Sequence, residues 1–258
     1  MGAHRRFFIE PEAISGTEAT LTGPLAHQIG HVLRLKPDDE IMLLDGSGDE
    51  LSARIVSISK DTVKAEILER RPCPREPRVK LTLAICLPKR DKLDQVIQSC
   101  TELGVSRFLI ALSERSVPRI DAERLATRLT RWRRIAKEAA EQCGRGRVPE
   151  IHALFSVRDL ATLGSEHDLA LVAWEDETSV SLRVALHHDA RRDDVSGHPC
   201  PETPASVLLV IGPEGGLASY EVALLTSSGA RTVSLGRLLL RVETAAIAGC
   251  AMLLADAH

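Results

Sequence analysis

Aromatic residues make up only 3% of this chain, and Tyr220 is its sole tyrosine. A partner recognised by stacking bases on aromatic side chains across a sheet is therefore poorly supported, and shape and backbone contacts must carry any nucleic-acid recognition. Long apolar runs are missing too. No segment approaches the roughly 20 apolar residues that span a bilayer, and the start, MGAHRRFFIEPE, holds no apolar run of signal-peptide length. A cytoplasmic protein with no membrane partner is expected. The six cysteines (Cys73, Cys86, Cys100, Cys143, Cys200, Cys250) show no paired spacing, and Cys86, Cys100 and Cys250 fall in apolar segments, so they read as buried free thiols. His187, His188, His198 and Cys200 match no zinc spacing, and no metal is expected. A large excess of either charge is also absent. The net charge of -3 argues against indiscriminate nucleic-acid binding but leaves room for a local basic face.

What is present is ordinary globular composition, 44% hydrophobic and 27% charged, in 258 residues, enough for one large or two modest domains. The first 70 residues read as short strands joined by tight turns: Arg5 to Ile9 at an edge, Glu40 to Leu44, Leu51 to Ile58 and Thr62 to Leu68. Pro24 sits where a short helix through Leu33 would start. This pattern predicts a small β-barrel. The segment Arg70 to Arg78, RRPCPREPR, carries three prolines and four arginines and reads as a linker, which divides the chain into domains 1–72 and 73–258. Beyond it strands and helices alternate: Val79 to Leu87, a helix Lys92 to Leu103 stopped by Gly104, Arg107 to Leu112, a helix Ala122 to Gln142, and a strand Leu169 to Trp174. Such alternation predicts an α/β fold with a mostly parallel sheet. From Leu186 to Pro204 apolar residues nearly vanish, and a polar surface loop is expected.

The chain is organised around its last third. Val207 to Ile211 reads as a buried strand, Gly212-Pro213-Glu214-Gly215-Gly216 as a turn, and a helix and a second strand (Arg231 to Leu235) lead to Gly236 and a final helix. In open α/β sheets ligands bind outside the carboxyl ends of the strands, where glycines allow close backbone approach. The turn is neither a P-loop nor a G-x-G-x-x-G fingerprint, which sets nucleotide-dependent oxidoreductase chemistry aside and favours a small ligand read by backbone groups.

Ile211 to Gly216 followed by Ser234-Leu-Gly-Arg-Leu-Leu-Leu-Arg-Val-Glu-Thr-Ala245 resembles the carboxyl-terminal signature of the SPOUT methyltransferases, and more narrowly the ribosomal RNA small-subunit methyltransferase E family. Lys89-Arg-Asp-Lys92, Cys100 to Val105 (CTELGV), Ser113 to Ser116, Arg131 to Ile135 (RWRRI), Glu141 to Cys143 and Val148-Pro149 match the pattern in order, so the resemblance runs nearly end to end. It implies a SPOUT-type sheet with a carboxyl-terminal trefoil knot at about 207–246, preceded by a PUA-like RNA-binding β-barrel domain. It also implies a homodimer that uses S-adenosyl-L-methionine to methylate N3 of a uridine in the 16S rRNA of the 30S subunit. Cofactor-binding positions carried over are Gly212, Gly215, Gly216, Leu235, Gly236, Leu240 and Thr244. For the transfer, Arg241 is the candidate to stabilise the uracil anion and Glu243 or Glu214 to accept the proton; helix-start roles for Glu243 and Thr244 stand beside these. The family's usual R-I-L-R-T-E-T is here Leu238-Leu-Leu-Arg-Val-Glu-Thr244. That departure keeps open an alternative, a non-catalytic RNA-binding or ribosome-assembly factor with a decayed methyltransferase domain.

Residues Arg107 to Arg147 hold eleven Lys/Arg against five Asp/Glu, mostly on one helix whose apolar stripe is Leu125, Leu129, Trp132, Ala136, Ala139 and Cys143. A solvated face with (i, i+4) pairs such as Arg134 with Glu138 is one reading; beside a methyltransferase signature, phosphate contact is the other. The RNA-binding candidates are Arg5, Arg6, Arg34, Lys89, Arg90, Arg131, Arg134 and Arg145.

Overall fold

A computed structural model describes residues 5–89, 92–116, 122–153, 156–189 and 204–255. The chain divides into two compact units, residues 1–76 with 140–148, and residues 77–139 with 149–258.

The first unit contains β1 (Arg5–Phe8), β2 (Ile14–Ser15), β3 (Glu18–Thr22), a helix α1 (Gly23–His27) that continues as a π-helical stretch over Gln28–Val32, β4 (Glu40–Leu44), β5 (Asp49–Ile58) and β6 (Thr62–Pro72). These strands make one sheet in the order β1-β4-β5-β6-β3-β2. β1 runs parallel to β4 and the other pairs are antiparallel. The period-two pattern places Ala19 and Leu21 of β3 and Val63 and Ala65 of β6 on the inner face, where they pack with Ile29, Ile41, Leu43, Leu51 and Ile55. No ladder joins the edges β1 and β2 among the described residues, so this side-chain core is what fills the interior.

The expected linker is in part structured. Residues 70–72 complete β6 opposite Asp49–Leu51. The β3 ladder on β6 ends at Glu66, so 70–72 have an edge on that side, where a sheet tolerates Pro72. The arginines there answer buried or half-buried carboxylates. Arg70 reaches Asp45 (2.9 Å) and Asp49 (2.7 Å). Glu50, only 1% exposed, meets Arg6 (2.7 Å), Arg71 (3.2 Å) and Arg75 (3.4 Å). Burial alone would push the Glu50 carboxyl up; the bond and charge of Arg6, then the Cys73 thiol and Arg71, outweigh it and hold the group below its ordinary range. Two of the RNA candidates are corrected here. Arg6 is committed to Glu50, and Arg145, 3% exposed, is enclosed with Glu76 at 3.0 Å, because a guanidinium inside a fold must be paired.

The second unit follows in the order β7 (Lys80–Cys86), α2 (Lys92–Leu103), β8 (Arg107–Ala111), α3 (Ala122–Cys143, whose residues 140–143 are counted with the first unit), β9 (Glu150–Ala153), α4 (Val157–Leu163), β10 (Leu169–Ala173), α5 (Leu182–Asp189), β11 (Ser206–Ile211), α6 (Ser219–Ser227), β12 (Arg231–Val233) and α7 (Val242–Leu254). Its sheet, β12-β10-β11-β7-β8-β9, is parallel at every pairing, as the alternating pattern predicts. Parallel strands covered on both faces read as continuous apolar runs, and Leu83 to Cys86 and Val207 to Ile211 are buried throughout. One face packs against α4 and α6 through Val157, Leu160, Val222 and Leu225. The other is covered by α7, where Gly249 lets the helix sit close: a Cβ there would stand 2.8 Å from Leu209 Cδ2. Helix α2 buries Leu93, Val96, Ile97 and Cys100, and ends as expected at Gly104, whose φ of 110° and the Val105 N–H bond to the Cys100 carbonyl close the helix.

Two features depart from expectation. Helix α5 reaches Asp189 because Leu182 and Ala185 give it a buried side, so the start of the expected polar loop is helical; residues 190–203, with His198 and Cys200, lie outside the described residues. Strand β9 and helix α4 were not anticipated; α4 is announced by Ser156 and Asp159, which form a capping box. Among the described residues no helix is long and apolar enough to cross a membrane.

Candidate functional site

Strands β12, β10 and β11 are neighbours in the parallel sheet and end side by side. Their carboxyl-end loops, the start of α7 and Lys92 at the start of α2 enclose a cavity of about 690 Å³, ample for a nucleoside-sized ligand. Gly212, Glu214, Gly215, Gly216, Leu235, Gly236, Leu240 and Arg241 all line it, so the two sequence motifs converge on one space. Thr244 is not on that wall. It lies exposed inside α7, and Arg241, not Thr244, holds the N-cap position.

The glycines act for different reasons. Gly236 has φ 135°, which side chains rarely adopt, yet a Cβ there would meet nothing within 4 Å. Its role is conformational: Ser234 Oγ donates to the Gly236 carbonyl at 3.0 Å and receives the Gly236 N–H at 3.3 Å, folding the loop on itself. Gly216 combines φ 70° with crowding by Glu175, whose Oε1 would lie 1.8 Å from an added Cβ. The loop after β10 is fixed by Glu177. Its carboxylate accepts from Ser179 Oγ (2.6 Å), Ser179 N (2.8 Å), Val180 N (3.1 Å) and Thr232 Oγ1 (2.7 Å). Those bonds, the Ser179 hydroxyl first, draw its pKa down to about 2.

Both candidate proton acceptors share one cation. Lys92 Nζ lies 3.2 Å from Glu214 Oε1 and 3.2 Å from Glu243 Oε2. Glu214 also accepts the Lys89 N–H at 3.0 Å. Glu243 Oε2 is buried and has no partner in hydrogen-bond geometry, so its contact with Lys92 is one of charge. Burial is the largest influence on each carboxyl and would raise it. Backbone N–H groups and Lys92 outweigh it at Glu214, and the same pair aided by Arg241 does so at Glu243, so both sit below the ordinary range. Lys92 moves up in turn, held charged by the carboxylates of Glu243 and Glu214. A carboxylate held this way is anionic at neutral pH and a poor proton acceptor. The cations on the cavity wall, Lys92, Arg237 and Arg241, suit stabilisation of an anion better.

The remaining RNA candidates are divided between the two units. Arg5 donates to the Leu33 carbonyl (3.0 Å), and Arg34 has a left-handed backbone (φ 52°). Arg131 pairs with Asp94, which also accepts the Trp132 indole N–H at 3.1 Å. Arg134, 71% exposed, faces Glu138 at 3.7 Å. Lys89 is exposed, and Arg90 lies outside the described residues. Sequence reasoning passed over Lys92 as a site residue, and over Trp174, Glu175 and Glu177. For the last three the available signal was their position just past the apolar run of β10, the strand end where ligands collect.

Residues 74–254 match the model of an RNA methyltransferase domain, and residues 21–68 that of an RNA methyltransferase PUA domain. The chain is 36% identical to the ribosomal RNA small subunit methyltransferase E of Bacillus subtilis (strain 168), over 93% of this chain and 92% of that one. It is 33% identical to that of Synechocystis sp., over 93% and 74%. The crystal structure of the Neisseria gonorrhoeae ribosomal RNA small subunit methyltransferase E bound to S-adenosyl methionine superposes with a TM-score of 0.75 at 29% identity, covering 96% of this chain and 95% of that one. The fold and cavity thus define an RNA methyltransferase domain joined to a PUA domain. The chain belongs to the ribosomal RNA small subunit methyltransferase E family.

Proposed function

We propose that this protein transfers a methyl group from S-adenosyl-L-methionine to N3 of a uridine in 16S rRNA, acting on the small ribosomal subunit in the cytoplasm. The observation that carries the reading is the cavity at the ends of β10, β11 and β12, framed by two glycine-bearing loops, in a chain that matches rRNA methyltransferases over nearly its whole length. The residues present fit the cofactor. Gly212, Gly215, Gly216 and the Leu235–Gly236 backbone present wall without bulky side chains, and Lys92, Arg237 and Arg241 supply positive charge for a carboxylate or an anion. When bound, the cofactor supplies an electrophilic methyl group. The protein's own part is to hold the uridine in line and, through Arg241, to stabilise the N3 anion left when its proton passes to solvent. Arg241 is the cation assigned to the uracil anion, while Glu214 and Glu243, tied to Lys92, keep the turn and the first residues of α7 in place.

We read residues 207–246 as the knotted segment and a second copy of the chain as the partner, with the exposed Leu238, Leu239 and Met252 as contact residues. Exposed apolar side chains of this size are ones a dimer would cover. The test is transfer of labelled methyl from S-adenosyl-L-methionine to unmodified 30S subunits and to naked 16S rRNA. Label on the subunits supports the reading. No label on either, with the cofactor bound, would transfer the assignment to an RNA-binding factor that has lost its activity.

A further inference from the structure

Arg241 and Lys92 stand on the same cavity wall in opposite circumstances. Arg241 is exposed, and among the described residues its side chain makes no hydrogen bond or ion pair. It holds the N-cap position of α7 with an extended backbone, and Glu243 follows two residues later in the first turn of that helix. A guanidinium that is to meet a substrate anion therefore has a carboxylate close at hand in its own chain. Lys92 occupies that carboxylate. Its Nζ lies 3.2 Å from Glu243 Oε2, an oxygen that is buried and has no hydrogen-bond partner.

The two carboxylates that share Lys92 are not equivalent. Glu214, whose Oε1 is also 3.2 Å from Nζ, accepts the Lys89 N–H at 3.0 Å through Oε1 and 3.3 Å through Oε2, and those contacts do not depend on Lys92. Glu243 has no such reserve at Oε2. The second side-chain charge that bears on it, after Lys92, is that of Arg241. Leaving a buried anion unpaired is costly, and a neighbouring cation on a flexible stem relieves it by swinging over. Without Lys92 that cation is Arg241, and the swing carries it away from the substrate.

We propose that Lys92 is a positioning residue for methyl transfer: by neutralising Glu243 it leaves the Arg241 guanidinium available to the anionic uracil. The proposal rests on reading Arg241 as the cation that stabilises this anion, and it gives Lys92 a role apart from holding the fold. The two roles separate in double variants. Lys92→Met/Glu214→Gln and Lys92→Met/Glu243→Gln both remove the repulsion between the carboxylates, but only the second removes the competitor for Arg241. The experiment measures kcat on small ribosomal subunits, S-adenosyl-L-methionine affinity by calorimetry, and Tm, for wild type, Lys92→Met, Lys92→Arg, the two double variants and Arg241→Ala. Lys92→Met should lose about 100-fold in kcat, the scale of a misplaced group, with cofactor affinity retained. Lys92→Arg, which keeps the charge, should restore most of the rate. Both double variants should regain Tm, and only the one carrying Glu243→Gln should regain kcat. Equal recovery of kcat in both, or in neither, would overturn the positioning role, and so would a loss in Lys92→Met that falls on cofactor affinity instead of kcat. Arg241→Ala should lose about 100-fold or more; unchanged kcat there would refute the reading of Arg241 itself, and this proposal with it.

Discussion

Replacing Lys92 with methionine keeps the stem of the side chain and removes the charge between two carboxylates. Glu214 Oε1 and Glu243 Oε2 each lie 3.2 Å from Nζ, so they are at most about 6.4 Å apart. At that separation two unit charges repel by about 0.6 kcal/mol in water and about 2.6 kcal/mol at an effective dielectric of ~20. The two carboxylate side chains are 25% and 17% exposed, which puts the cost between those limits, about 1–2 kcal/mol at neutral pH. For a chain of this size that is roughly 2–8 °C in Tm. The sign with pH is defined. In the wild type both carboxyls are depressed, so their contribution is present above the ordinary carboxylate value of 4.5 and is lost as pH falls through the folded-state values. Lys92 is raised, so its contribution is complete below 10.5 and lost only as pH rises beyond its folded-state value. In Lys92→Met the carboxylates repel while both are ionised, and protonation of one relieves them. The Tm deficit should therefore be large at pH 7.5, shrink toward pH 4, and largely disappear at pH 7.5 when Glu243→Gln is added. Calorimetric unfolding of the single and double variants measures this. A deficit that is the same at both pH values, or that Glu243→Gln does not relieve, would show that Lys92 does not hold the pair.

Glu50→Gln removes the charge from a site that three guanidiniums surround; Arg71 and Arg75 are about half exposed and relax into solvent, so about 2–3 kcal/mol of stability should go, less than for a fully buried pair. Because the Glu50 carboxyl is depressed, the gap from wild type should close as pH falls through its folded-state value, as thermal melts at stepped pH will read. Gly236→Val forces a β-branched residue into φ 135°, at a cost of about 1–3 kcal/mol if the loop stays put, so the loop should move and S-adenosyl-L-methionine affinity by calorimetry should fall more than tenfold with circular dichroism unchanged. Arg134→Glu, at an exposed position with one weak partner, should lower rRNA affinity and the slope of its salt dependence by about one charge while cofactor affinity holds; equal RNA affinity removes α3 from the interface.

Most of the sheet was legible because β7, β8, β10 and β11 carry continuous apolar runs, which the short β9 (EIHA) lacks, and the cavity because glycines mark the strand ends around it. Helix α2 was legible from its four-residue apolar spacing and Gly104. Charge pairing was not. Whether an arginine meets phosphate or carboxylate depends on contacts between residues far apart in the chain, as with Arg6 and Glu50 or Arg145 and Glu76. The prolines around residue 72 suggested a linker because composition does not reveal that β3 stops at its pairing with Glu66 and leaves β6 an edge. Lys92 stood in a recognised motif, but its position between Glu214 and Glu243 required three segments of the chain to meet at one point.

The most direct measurement is the identity of the nucleoside made. Small subunits carrying unmodified 16S rRNA, incubated with the protein and labelled S-adenosyl-L-methionine, are digested to nucleosides and separated by mass spectrometry. The label should appear in N3-methyluridine and should be absent when Gly236→Val replaces the wild type. Label in another nucleoside, or wild type that binds the cofactor and transfers nothing, would contradict the account.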